Sequence, residues 1–276
     1  MAAEIGVLVV HGMGAQPADF ADAFIAQMQG RLLRLGVDPD RVAWRAGWWA
    51  DTVKQREDEL WNELTASHTL RYDSARRFVI SSFGDALAYQ RMPSQRTDVY
   101  RTIHARIREH LGALRDQMGG DKPIVVIAHS LGSVIVSNFT WDEQKSPTPG
   151  TSATQRMETL AGLVTFGSNI PLFTLCLDDV VAIDFPVPTL SGAVREAARW
   201  LNFFDADDVL GYPLRPLSDS YRAAVSADLQ INVGSILRSW NPLSHEEYWT
   251  DSDFIAPVAA LLREILAAAS GVAPEQ

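Results

Sequence analysis

The chain reads as an α/β protein: a mostly parallel central sheet with helices on both faces, in a single domain of 276 residues. Short β-branched apolar runs recur along it, and segments of helical periodicity separate them. That alternation is the signature of parallel strands joined by crossover helices. One of the runs, residues 124–128, stops abruptly at small residues around a serine, and a helix-compatible segment follows.

Residues 5–10 form the first strand. Residues 17–35 follow as a helix, with Phe20, Phe24, Met28, Leu32 and Leu35 on one face. Residues 42–46 are a second strand. In 101–115, Ile103, Ile107, Leu111 and Leu114 lie on one side of a helix, and Arg101, Arg108 and Arg115 belong to its solvated face. The strand at 123–128 leads through the serine turn into a helix at 134–141. Strands at 160–166, 200–204 and 229–233 come next, and 254–269 closes the chain with a helix. Residues 146–152, rich in Ser, Thr, Pro and Gly, are a surface loop. Two stretches exceed what such a core needs. The first, 47–96, is helical by pattern and carries Trp48, Trp49, Trp61, Tyr72, Phe78, Phe83 and Tyr89. The second, 170–193, is apolar and proline-containing.

Composition narrows the chemistry. An apolar fraction of 47% with 21% charged residues is ordinary for a globular chain. A formal charge of −10 argues against nucleic acid, because phosphate binding needs clustered cations. The single cysteine, Cys176, excludes an internal disulfide and a cysteine-rich metal site, and no metal-ligand spacing of His and carboxylates occurs. No cationic stretch precedes the first apolar run, and no run is long enough to span a bilayer. A cytoplasmic protein without integral membrane contact, metal or cofactor is the expectation.

The motif Ala128-His129-Ser130-Leu131-Gly132 places a serine hydroxyl at the apex of a strand-turn-helix unit, facing the positive end of the helix. Small flanking residues relieve crowding there, although Ala128 stands where the usual pattern has glycine. The plain alternative is a helix N-cap. A nucleophilic serine needs a base, a group to orient the base, and donors for an oxyanion. Of six histidines only His245 follows the serine; His11, His68, His104, His110 and His129 do not. After the strand at 200–204 comes an acidic loop with Asp205, Asp207 and Asp208. Asp208 precedes an apolar residue suited to anchoring the loop and is the first choice as the acid; Asp205 is the main rival and Asp207 the third. The first strand ends in His11-Gly12-Met13-Gly14, which lacks the spacing of a phosphate-binding glycine loop.

Together the His-Gly-x-Gly loop, the His-Ser-Leu-Gly elbow, the acidic loop and the late histidine resemble the α/β-hydrolase superfamily, and more narrowly the bacterial lipase/esterase-like serine hydrolases. Thr165-Phe166-Gly167-Ser168-Asn169 is similar to the strand end that follows the elbow helix in those proteins. The resemblance runs from about residue 5 to 249. It implies acyl-ester hydrolysis, on a small-molecule or lipid substrate, through Ser130, His245 and Asp208, with no cofactor. It also implies an oxyanion hole made by the N–H groups of Met13 and Leu131, with His11, Gly12, Gly14, His129 and Gly132 in support. The inserts at 47–96 and 170–193 would then form a cap and an acyl trough, with Trp48 and Trp49 as candidate lining. Otherwise they extend the core or bury a homodimer contact. An acyltransferase or thioesterase using the same triad is the alternative activity, and an inactive binding module the least favoured reading.

Overall fold

Strands covered on both faces are apolar throughout rather than alternately, and residues 5–10, 124–129 and 160–166 have that character. In the protein's three-dimensional structure, a computed structural model, the described residues are 3–66, 70–89, 98–233 and 248–271. Six strands form one sheet: β1 (Ile5–Val10), β2 (Val42–Gly47), β3 (Ile124–His129), β4 (Leu160–Phe166), β5 (Arg199–Asp205) and β6 (Ala227–Ile231). Their order is β2-β1-β3-β4-β5-β6, and every pairing is parallel. Every residue of β1, β3 and β4 is buried.

The helices among the described residues are α1 (Asp22–Arg34), α2 (Asp51–Thr65), α3 (Asp73–Tyr89), α4 (Asp98–Met118), α5 (Leu131–Lys145), α6 (Ile170–Thr174), α7 (Gly192–Ala197), α8 (Asp219–Ala224) and α9 (Ser252–Ser270). They cover both faces. Ile5, Val7 and Val9 of β1 share a cluster with Phe24, Met28 and Leu32 of α1 and with Phe254, Val258 and Leu262 of α9. Leu8 and Val10 face the other way, toward Ile103, Ile107 and Leu111 of α4 and Val134 and Ile135 of α5. Each such side chain contributes roughly 1.5–3 kcal/mol on burial, far more than helix propensity supplies.

Most boundaries shift by a few residues from the sequence reading, and three of the shifts have local causes or consequences. The first helix begins at Asp22 rather than at Pro17, because Phe20 N–H bonds to Pro17 O and Asp22 N–H to Asp19 O in two tight turns. Phe20 still packs inward, edge-on to His11 at 4.9 Å. The helix after the serine runs over Leu131–Lys145 and leaves no linker. The last strand is Ala227–Ile231, two residues early, because Asp228 is tied into it. Its Oδ1 accepts from Asn202 Nδ2 at 2.8 Å and from Leu214 N–H at 2.9 Å, and its Oδ2 from Arg215 N–H at 2.9 Å.

Both inserts are partly core. Trp49, Val53 and Tyr89 from the first, and Ile170, Ala182, Ile183, Phe185 and Val187 from the second, belong to the cluster under the sheet. The remainder faces solvent: Val79, Phe83 and Leu87 on α3, and Leu175, Leu177 and Val181 after α6, are exposed. Residues 67–69 and 90–97 of the first insert lie outside the described residues. No described helix is long and apolar enough to cross a membrane.

Candidate active site

From β1 the chain moves outward to β2, and it then returns to lay β3 on the other side of β1. In open parallel sheets, ligands bind outside the strand C-termini at such a reversal. The loops that leave β1 and β3 there are residues 11–14 and the turn at Ser130.

Ser130 has φ 49° and ψ −123°, a conformation that costs a non-glycine residue about 1–3 kcal/mol. Several contacts impose it. Ser130 N–H donates to Phe166 O at 3.0 Å, and Ser130 O accepts from Ser133 N–H at 2.9 Å and Ser133 Oγ at 2.5 Å. Ser133 Oγ also lies 2.8 Å from Ser168 Oγ, which joins the turn to the end of β4. The side chain of Ser130 makes no capping bond to α5, and its Oγ is buried with no hydrogen-bond partner among the described residues. The strain therefore has no return as an N-cap.

Two glycines bring the β1 loop against this turn. A Cβ on Gly132 would lie 2.5 Å from His11 O and 3.0 Å from Val10 O, both rigid backbone. A Cβ on Gly12 would lie 2.7 Å from Ser130 Cβ and 3.0 Å from His129 Nδ1. Only hydrogen fits at either position. His11 holds the loop: its Nδ1 donates to Gly12 O at 2.8 Å and its Nε2 accepts from Trp49 N–H at 3.1 Å. The second bond requires the neutral ring, and burial pushes its pKa down to about 4. The Trp49 indole stacks on it at 4.7 Å and donates to His11 O at 3.1 Å. Trp49 is thus a fully buried brace rather than a substrate-lining residue. Trp48, half-buried, donates to Gln16 O at 2.7 Å. Gly14 N–H donates to Asp85 Oδ2 at 2.8 Å. No described acceptor takes the N–H of Met13 or of Leu131.

The acidic loop separates its aspartates. Asp205 Oδ1 accepts from Asp207 N–H at 2.8 Å, and its Oδ2 accepts from Val233 N–H at 2.6 Å. Both oxygens serve the backbone. Asp208 Oδ1 accepts from Leu210 N–H at 2.9 Å, and its Oδ2 accepts from the Tyr248 hydroxyl at 2.9 Å. The same hydroxyl accepts from Asp205 N–H at 2.8 Å. Burial and the neighbouring Asp208 raise the Tyr248 phenol well above its ordinary range, so it stays a donor. Asp207 is exposed. His245 lies outside the described residues. The described residues on either side of its segment, Val233 and Tyr248, are each bonded to this loop, one to Asp205 and the other to both aspartates.

His129 is buried, stacked on Phe166 at 4.8 Å, with Trp249 edge-on at 5.6 Å. A cavity of about 160 Å³ borders it, lined also by His11, Gly12, Phe20, Phe24 and Trp249. That is below the roughly 300 Å³ at which drug-sized pockets begin. Among the described residues no cluster of His, Cys, Asp and Glu could hold a metal. Sequence reasoning missed Tyr248, Ser133, Ser168 and Asp85, because an isolated polar residue gives no signal until a partner from elsewhere in the chain is placed beside it.

The sequence matches no protein family and no curated protein. Among solved structures, one named for hydrolases of the alpha/beta superfamily, from Xanthomonas campestris pv. campestris, is 13% identical with a TM-score of 0.42, over 92% of this chain and 98% of the other. A lipase-esterase related protein from Clostridium acetobutylicum ATCC 824 is 10% identical with a TM-score of 0.37, over 95% of each chain. The fold is an α/β one: an all-parallel sheet covered by helices on both faces, with a strained serine between β3 and α5 and a glycine loop from β1 pressed on it.

Proposed function

We propose that the chain is a serine hydrolase of carboxylic esters, acting through Ser130, His245 and Asp208. The observation that carries this reading is the backbone of Ser130. A residue held at φ 49° with its hydroxyl buried and without a described partner costs stability and supports no helix cap. Such strain persists where it aims a reactive group.

In this reading Ser130 Oγ attacks the ester carbonyl while His245 Nε2 takes its proton. Asp208 orients the imidazole and stabilises the imidazolium. Both carboxyl oxygens of Asp205 accept backbone N–H groups, whereas one oxygen of Asp208 takes a side-chain hydroxyl three residues beyond His245, which favours Asp208 over Asp205. The N–H groups of Met13 and Leu131 take the oxyanion, each worth on the order of 3 kcal/mol of barrier. His245 then returns the proton to the leaving alcohol, and water activated by the same imidazole hydrolyses the acyl-enzyme.

The test is turnover of p-nitrophenyl esters of two to eight carbons by the purified protein and by Ser130→Ala. Loss of all turnover in a variant that unfolds at the wild-type temperature is the expected result. Turnover that survives the substitution sinks the proposal.

A further inference from the structure

Asp85 belongs to α3 in the first insert, yet its Oδ2 accepts the Gly14 N–H at 2.8 Å, one residue beyond Met13. The carboxyl is 4% exposed. Glu57 of α2 faces it, and Glu57 Oε1 is buried with no donor among the described residues. Two facing carboxyls repel when both are ionised and bond only when one keeps a proton. The cations around them form their ion pairs elsewhere, although the Lys54 charge still acts on Glu57 and opposes the Asp58 charge there. On α2, Lys54 pairs with Asp58 at 3.2 Å, and Arg106 of α4 pairs with Asp51 at 3.0 Å. Arg77 of α3 lies over the Trp61 ring, and His104 of α4 is bonded to the Tyr89 hydroxyl. From the end of β1 the near titratable group is His11, neutral and bonded on both nitrogens. Among the described residues no cation pairs with Asp85 or Glu57.

We propose that Asp85, sharing a proton with Glu57, is a positioning residue that clamps the Gly14 amide and so aims the preceding Met13 N–H at the oxyanion. The proposal rests on the acyl-hydrolase reading and extends it, because it makes the helical insert part of the machinery that sets the rate. A buried aspartate on a loop amide is commonly only structural, and the difference is measurable. A structural clamp changes stability alone. A positioning clamp changes kcat with little effect on KM, since the oxyanion forms only in the transition state. Burial, opposed by the Gly14 N–H and reinforced by Glu57, pushes the Asp85 carboxyl up to about 7. As pH rises through that value Asp85 becomes a stronger acceptor for Gly14 but loses its bond to Glu57, so the hold on the loop changes with pH.

The experiment measures kcat and KM for p-nitrophenyl acetate, the rate of labelling by a fluorophosphonate, and thermal unfolding. It uses the full chain as wild type, Asp85→Ala and Asp85→Asn. Asn keeps an acceptor for Gly14 and a donor for Glu57 without a titrating proton. Asp85→Ala is expected to lose about tenfold in kcat with KM within about twofold, and Asp85→Asn to restore most of it near pH 6. The wild-type to Asn ratio of labelling rates is expected to change severalfold between about pH 5.5 and about pH 8.5; the ratio cancels the titration of the catalytic imidazole. Wild-type kcat in a folded Asp85→Ala protein overturns the proposal, and so does a flat ratio. If Asp85→Ala does not fold, the ratio with the isosteric Asn variant decides alone. A wild type whose Ser130 never reacts with the probe overturns the hydrolase reading and the clamp with it, whereas a reactive wild type with unaffected variants overturns the clamp only.

Discussion

The β1 loop at residues 11–14 and the β5 loop at residues 205–208 both leave the sheet at strand C-termini, but they are fixed by different forces. The β1 loop is held mainly by close approach and neutral contacts, with one carboxyl, Asp85, at its far end on the Gly14 amide. Gly12 and Gly132 allow the backbone to touch, and an uncharged His11 is sandwiched into place by Trp49. Around His11 and Gly12 its position is set by packing. The β5 loop is held by two buried carboxylates that accept backbone N–H groups and a tyrosine hydroxyl. Packing serves where a backbone must be placed to a fraction of an ångström. Carboxylates serve where a charge is needed and its own hydrogen bonds can hold it.

The sharpest way to break this comparison is within the β5 loop. Asp208→Ala is expected to lower kcat by about 10⁴-fold, the scale seen when a triad acid is removed, and it also strips the Leu210 N–H and the Tyr248 hydroxyl of their acceptor. Asp205→Ala instead leaves the N–H groups of Asp207 and Val233 without their acceptor and is expected to act mainly on stability, by about 2 kcal/mol. Steady-state kinetics beside urea unfolding separates them, and the reverse pattern would exchange the two roles.

In the β1 loop the effect is steric. Gly132→Ala puts a methyl 2.5 Å from a backbone oxygen, so the helix or the loop must move. We expect a loss of about 3 kcal/mol of stability, at the upper end for overpacking, and a fall in kcat as the Met13 and Leu131 amides separate. A variant of wild-type melting temperature and activity would show that the close approach is slack.

The smallest effect is the pH response of that same loop. His11 is held neutral, its pKa lowered from 6.5 to about 4, so the native state refuses a proton that the unfolded chain accepts. The contribution is complete above pH 6.5 and is lost as pH falls toward 4, the loss reaching about 2 kcal/mol by pH 5. Stability measured from pH 7 to 4 should fall less steeply in His11→Asn than in the wild type. Parallel curves would mean that the ring is free to charge.

Much of this was legible in the chain itself. Uninterrupted apolar runs gave β1, β3 and β4 because strands covered on both faces have no polar side to show, and β4 falls at 160–166 as read. The small residues around Ser130 marked the turn, since a β-branched neighbour could not enter the space beside His11 O. The start of α1 and the placing of β6 were not legible, for they depend on hydrogen bonds to residues distant in the chain or on local turns that periodicity does not report. Nor were Trp49, Tyr248 and Asp85, each of which meets the site from a separate segment.

Local pattern by itself determined where strands, helices and the serine turn lie, because backbone geometry and side-chain periodicity are properties of neighbours along the chain. Tertiary structure decided which aspartate serves the backbone and which faces the Tyr248 hydroxyl, why two glycines are obligatory, and that a carboxyl from the insert reaches the Gly14 amide. Those are contacts between residues tens to hundreds of positions apart, and they acquire an energy only when folding brings them within a few ångströms.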